Sequence, residues 1–406
     1  MDDCTDREIR TEDLHSVQLV LFHRPCATKK TTATADQRRA KMGAFEYVFP
    51  AIRGVQAGRE YYVTMCPLRL IPRLFMFDEE ELPAEMRAQR TLNRSRVPEL
   101  SRYLLDNPTS YVFSALTASV DADVEFAPFD PSTGAGERVG ALTIPMSAKF
   151  VINDGQHRRA GITDALRENP ELGDESIAIV MFLDLGLKRC QQMFADLNRY
   201  AIRPSRSLSV LYDHRDEMSA IARLVVHRSP LFSDLTETES NNLAARSRKL
   251  FTLSALYGAT KALLDGLDKL SFEQKVDVAS NYWSVVAEQF PEWHQVHAGE
   301  VSAGEVRRDF IHTHGIVLHS LGRVGNSLLQ GKQDPATWNR KLKKLSGLDW
   351  RRANTELWEG RATLGGKVSK TAANLTLTTA AIRTSLGMPL PSDEQHADEA
   401  FRRGEK

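Results

Sequence analysis

The sequence predicts an α+β protein in two parts, a mixed strand-and-helix domain followed by an all-helical one. Three observations carry this. Short β-branched and aromatic runs, separated by Gly, Pro and Asp turns, recur up to about residue 205 and then almost vanish. Beyond that point amphipathic stretches take over, with apolar residues at helical spacing. The 406 residues, 42% hydrophobic and 26% charged, suit two or three domains of ordinary globular composition with enough apolar material for a core.

Residues 1–41 are polar, include the low-complexity run 31–35 and end in the basic cluster Arg38, Arg39 and Lys41, so they read as a disordered arm. Met42, just before the first strand-like run, is an alternative start. Strands are expected at 45–52, 60–65, 111–119, 139–144, 149–153 and 177–183. A helix is expected over 87–107, where Val97, Leu100, Tyr103 and Leu104 share a face and Asn107-Pro108 stops it. Another runs from the turn at 154–159 to about 168, and a third covers 187–197. These elements make a domain over 42–205. Helical stretches at 216–226, 252–267, 273–290 and 305–329, broken at Pro291 and Gly331, make a second domain over 206–385. Residues 386–406 read as a polar tail.

The 53 Lys and Arg balance the 53 Asp and Glu, which argues against a protein that collects polyanions by bulk charge. No run approaches the roughly 18–20 apolar residues of a membrane span, and the patch at 17–22 is too short for a secretory core, so the expected address is cytoplasmic with no membrane partner. Cys4, Cys26, Cys66 and Cys190 are scattered and never form a CxxC pair, so neither a disulfide framework nor a zinc or iron–sulfur site is expected.

The densest polar chemistry is Asp154-Gly155-Gln156-His157-Arg158-Arg159, where an apolar strand ends and a helix starts. Such a junction presents unpaired backbone N–H groups and the positive end of the helix dipole to an anion. Gly155 permits close backbone approach, Arg158 and Arg159 can contact phosphate oxygens, and His157 can move a proton near neutral pH. Asp154 either caps the helix or holds a Mg²⁺ ion or a ribose hydroxyl. In the bland reading Asp caps, Gly turns and both Arg face solvent. The glycine spacing of a P-loop or a dinucleotide fingerprint is absent.

The Asp-Gly-Gln-His-Arg run resembles the signature of DGQHR-domain proteins, and its surroundings resemble the DndB family of DNA sulfur modification proteins. The likeness runs through Phe45-Glu-Tyr-Val-Phe-Pro-Ala-Ile-Arg-Gly54, Met65-Cys-Pro-Leu-Arg-Leu70, Arg90-Thr-Leu-Asn-Arg94, Met193-Phe-Ala-Asp-Leu-Asn-Arg-Tyr-Ala-Ile-Arg-Pro-Ser205 and Tyr212-Asp-His-Arg-Asp216, over roughly residues 45 to 385. It implies a ParB/sulfiredoxin-like mixed N-terminal domain and a DNA-binding transcriptional regulator, usually a repressor, of a phosphorothioation gene cluster. In that superfamily the matching turn binds a nucleotide, here through Gly155, Gln156, His157, Arg158 and Arg159. A ParB-type pattern usually has an acidic or polar residue where Gln156 stands, which makes binding better founded than hydrolysis.

Other clusters carry weaker signals. Asn198 and Arg199, with Arg203 and Arg206, either reach a nucleotide or DNA phosphate or compensate a helix dipole. Arg90, Asn93, Arg94 and Arg96 are either a second anion surface or a solvated helix face. Cys66, after a strand, is either a redox thiol or a small core residue. His312 and His314 are two apart, on nearly opposite helix faces, which disfavours a metal site. Residues 338–370 hold nine basic against three acidic residues, a net +6, interleaved with Trp338, Trp350 and Trp358. Lys341, Lys343, Lys344, Arg351 and Arg352 are therefore candidate DNA contacts, with core tryptophans on a solvated helix as the alternative. Arg307 and Arg308, at the expected start of the 305–329 helix, would oppose its dipole and call for an anion.

The leading expectation is a repressor that binds double-stranded promoter DNA and takes ATP or another nucleotide, with Mg, at the 154–159 turn. The alternative is a nucleotide hydrolase (ATPase-like) or nuclease-like component of the modification system, with Asp154 and His157 as catalytic residues and Asp154 on Mg²⁺. A third is a scaffold for other DNA sulfur modification proteins. Binding of a palindromic operator would make it a homo-oligomer, a dimer.

Overall fold

The computed structural model describes residues 45–75, 92–183, 187–199, 204–331 and 335–404. The expected arm and the alternative start at Met42 lie outside them. The fold is mixed α/β with a central mixed sheet, and the chain divides into two compact units between Ala201 and Ile202.

The first unit is built on seven strands: β1 (Glu46–Gln56), β2 (Arg59–Pro67), β3 (Leu116–Asp121), β4 (Glu125–Pro128), β5 (Val139–Pro145), β6 (Lys149–Asp154) and β7 (Ser176–Phe182), ordered β4-β5-β1-β2-β7-β3-β6. Every neighbouring pair is antiparallel except β3 and β7. Alternation fixes the register: Ile177, Ile179 and Met181 of β7 are buried and the residues between them are not. Helices α1 (Val97–Leu105) and α2 (Gln156–Glu168) pack against each other and bury Leu104, Ile162 and Ala165. A third helix, α3 (Leu187–Arg199), contacts β6. The strand expected at 111–119 begins only at Leu116, because Tyr111 to Ala115 form a loop without regular structure.

The second unit contains α4 (Arg206–Tyr212), α5 (Glu217–Arg228), α6 (Pro230–Leu235), α7 (Leu253–Leu264), α8 (Phe272–Ala287), α9 (Pro291–His297), α10 (Ala303–Asp309), α11 (Gly315–Gln330), α12 (Pro335–Leu342), α13 (Ala372–Ser385) and α14 (Ser392–Arg402), with two two-stranded ribbons. Its starts are chemically marked. Asp216 accepts from the Met218 and Ser219 amides, and Ser271 with Gln274, and Ser302 with Glu305, form capping boxes. The central helix is α11, packed between α7 and α13. A Cβ on Gly322 would lie 2.2 Å from the Ala259 carbonyl oxygen, so only glycine lets α11 and α7 approach this closely.

Two expectations change here. The helix expected over 305–329 is two helices, because the Phe310 backbone bridges to Arg351, the Ile311 amide donates to the Trp350 carbonyl, and His314 precedes a new start. Arg307 and Arg308 consequently sit in the last turn of α10, where their charge suits the dipole instead of opposing it. The segment expected as a polar tail contains α14. Its Glu394 lies 2.8 Å from Arg383 and its Asp398 lies 3.1 Å from Arg361, all four side chains being largely buried.

Candidate functional site

In the first unit, β6 delivers Asp154 to a turn and α2 leaves it. Gly155 makes that turn at φ +105°, and a Cβ there would meet Leu116 Cδ2 at 2.4 Å and an Arg158 nitrogen at 2.8 Å. Glycine is demanded twice, by the backbone and by the space. No side chain caps α2, so Asp154 is not the helix cap that one reading of the sequence expected. Its carboxylate instead receives Arg158 Nη2 at 2.6 Å.

A cleft of about 600 Å³ opens beside the turn, lined by Asp154, Gly155, Gln156, His157 and Arg158 together with Asn198 of α3. Across from them stand Arg96, Glu99 and Tyr103 of the α1 region, and Phe113 and Phe194 add aromatic surface. Two clusters that are far apart in sequence meet here, because the Asn93 amide donates to His157 Nε2 at 3.1 Å and Arg96 lines the same cleft.

The arginines are more committed than expected. Arg158 donates to Ser114 Oγ at 2.6 Å, to the Ala115 carbonyl at 3.1 Å and to Asp154, so it ties the 110–115 loop to the turn. Arg159 donates to the Phe75 carbonyl and is not among the cleft-lining residues. Arg199 ends α3, also off the cleft lining, while the Asn198 amide donates to the Phe194 carbonyl at 2.8 Å. Arg90 and Arg203 lie outside the described residues, and Arg206 begins α4 in the second unit.

Asn153 carried no weight in the sequence reading, yet it is fully buried beneath this cleft. Its Nδ2 donates to Ser119 Oγ at 2.7 Å, and its Oδ1 has no partner among the described residues. The available signal was an amide inside an otherwise apolar strand, one residue before the turn. A buried acceptor left unpaired is costly, so a ligand donor fits there.

Cys66 is fully buried, and burial pushes its thiol up to about 12, which makes it a core residue without the thiolate that redox chemistry needs. Among the described residues no group of three or more His, Cys, Asp or Glu is placed to hold a metal, and no helix is long and apolar enough to cross a membrane. His312 packs between Phe290 and Phe310 and accepts from Trp293 Nε1 at 2.9 Å.

The candidate DNA contacts of the second unit disperse. Trp338, Trp350 and Trp358 are buried, the last two stacked on each other, so they are core and not base-stacking residues. Arg351 pairs with Asp349 through two bonds of 2.9 Å, and Arg308 pairs with Asp309. Lys344 donates to the Leu386 carbonyl at 3.4 Å, whereas Lys343 is exposed and Lys341 half-buried. Arg307, Arg308 and Arg352 line one pocket together.

A family profile for DndB, described as DNA-sulfur modification-associated, matches residues 49–389. The chain belongs to the DndB family. The match takes in both units, from β1 to the end of α13, and a role in DNA sulfur modification follows from it. Among curated proteins and among solved structures, nothing matches this DndB-family chain significantly.

Proposed function

We propose that this DndB-family chain is a DNA-binding regulator of DNA sulfur modification genes, acting as a repressor in the cytoplasm and as a dimer, with a nucleotide-binding first unit of ParB/sulfiredoxin-like arrangement. The observation that carries the nucleotide reading is the cleft at the glycine turn. Its volume suits a mononucleotide, since ligand pockets run to roughly 300–1,000 Å³. An uncapped helix N-terminus offers amides to phosphate, Phe113, Phe194 and Tyr103 offer faces to a base, and Asn153 Oδ1 takes a hydroxyl or amino donor. Gly155, Gln156, His157 and Asn198 are the contacts assigned to the nucleotide. Arg158 contributes field, while its bonds keep the turn in shape.

Hydrolysis is the second reading and has less support. The turn itself offers a Mg²⁺ ion one carboxylate, which Arg158 already holds, Glu99 stands on the opposite side of the cleft, and the His157 Nε2 is occupied by the Asn93 amide. Asp154 would have to leave Arg158 to hold the ion. On the DNA side, the overall neutral charge argues against bulk polyanion binding and leaves a localised surface, which this reading puts on the helical unit with Lys341 and Lys343 as contacts.

Fluorescence anisotropy with a labelled duplex from upstream of the chain's own gene cluster tests the proposal. Expected is tight binding relative to a scrambled duplex, falling linearly in log affinity with log salt. Equal affinity for both duplexes overturns the regulator reading. Phosphate release from ATP in the same preparation separates the hydrolase reading, which requires turnover.

A further inference from the structure

The helical unit holds a second concave site, of about 770 Å³, that the proposed function leaves unused. It lies at the start of α11, a sixteen-residue helix whose N-terminus no side chain caps. His314, the residue before it, places its ring against Arg352 Nη2 at 2.9 Å and the Arg307 carbonyl at 3.0 Å instead.

Four cations converge on this pocket: Arg206, Arg307, Arg352 and Lys370. Arg307 donates to the carbonyls of Ala244, Ala245 and Ser247, and Arg352 to the Arg307 carbonyl and His314, so both spend their bonds on neutral acceptors, with Asp309 near enough to feel the charge of Arg352. Arg206 lies over the Tyr257 ring at 5.6 Å, and Lys370 Nζ stands 3.4 Å from where a Cβ on Gly315 would be. Among the described residues none of the four makes an ion pair. Of the remaining charged lining residues, Arg308 pairs with Asp309, and Glu305, the one carboxylate in the lining, closes the Ser302 capping box and keeps its charge, so the four cations still outnumber it.

One further observation points to an anionic ligand. Thr313 lines the pocket, is 4% exposed, and its Oγ1 has no partner among the described residues. Burial first, and then the charges of Lys370, Arg323 and Arg206, hold the His319 imidazole down to about 4.

We propose that this pocket is a phosphate-binding site for a phosphate ester, borne either by a free mononucleotide-sized ligand or by the DNA backbone. The first amides of α11 and the Thr313 hydroxyl donate to the phosphate oxygens, and Lys370 and Arg206 balance the charge. The site is independent of the cleft in the first unit, and it stands if that cleft proves empty.

Equilibrium dialysis of the full chain against labelled pyrophosphate tests it, with Lys370→Ala and Arg206→Ala, both at exposed positions, as variants whose folding is checked by tryptophan fluorescence. Loss of a charge-assisted bond should weaken one class of site by about ten- to a hundredfold. Unchanged binding in both variants overturns the proposal. Competition then identifies the source: displacement by adenosine monophosphate and not by a short duplex assigns a free ester, and displacement by the duplex assigns the DNA backbone. Displacement by neither marks an adventitious ion only and also overturns it.

Discussion

Arg158→Ala removes a clamp, and the loss should appear in stability before it appears in ligand binding. The guanidinium is 20% exposed and makes three bonds, to Asp154, Ser114 and the Ala115 carbonyl. The ion pair is discounted because Asp154 is 44% exposed, leaving it worth about 1 kcal/mol. The other two bonds, from a charged donor to neutral acceptors, add about 1 kcal/mol each, so the variant should lose about 3 kcal/mol. Urea unfolding followed by far-ultraviolet circular dichroism measures this through the midpoint at constant slope. All five tryptophans lie in the second unit, so their fluorescence is an internal control. Arg158→Lys should recover only part of the loss, because an ammonium cannot span three acceptors in a fixed fork. If Arg158→Ala keeps its stability within about 0.5 kcal/mol and loses ATP binding alone, Arg158 is a phosphate ligand and the clamp reasoning is refuted.

Further outcomes follow from particular contacts. Gly155→Ala should cost at least about 2 kcal/mol in the dichroism transition, from a positive φ and a 2.4 Å clash with Leu116, and a near-neutral result would mean that the turn is not as tight as described. Glu394→Ala leaves the Arg383 guanidinium buried and unpaired, and should cost about 3–5 kcal/mol in the tryptophan-monitored transition; an effect under about 1 kcal/mol contradicts the buried pair. Burial, aided by nearby Arg352, holds His314 down to about 4, so the unfolded chain takes up its proton first. Stability from this residue is full above pH 6.5 and is lost progressively as pH falls towards 4, by about 3 kcal/mol, and His314→Asn should remove that part of the slope.

Much of the first unit was legible because its chemistry is local. The strands β1, β2, β5, β6 and β7 follow period-two burial in β-branched and aromatic runs, and the glycine turn announces itself by placing four polar residues where an apolar strand meets a helix. The short edge strand β4 was missed, since Glu125–Pro128 carries an acid and a proline. What the arginines do was not legible. Arg158 is answered by Ser114 and Ala115, some forty residues away, and no spacing rule reaches that far. In the helical unit the break at 310–314 comes from tertiary pairing with Trp350 and Arg351, which overrides a continuous amphipathic pattern. Basic residues between tryptophans suggested a nucleic-acid face, but the indoles go inward and each of Trp350 and Trp358 spends its N–H on a backbone carbonyl. Of the four cations that do converge, Arg206 and Lys370 are 164 positions apart in sequence.

A structure of the full chain with ATP is the most direct test of the cleft. The phosphates should lie against the first turn of α2 at Gln156 and His157, with a ribose or base donor at Asn153 Oδ1 and without displacement of Asp154 from Arg158. ATP bound elsewhere, or a cleft that stays empty at saturating ATP, contradicts the assignment of the glycine turn as a nucleotide site.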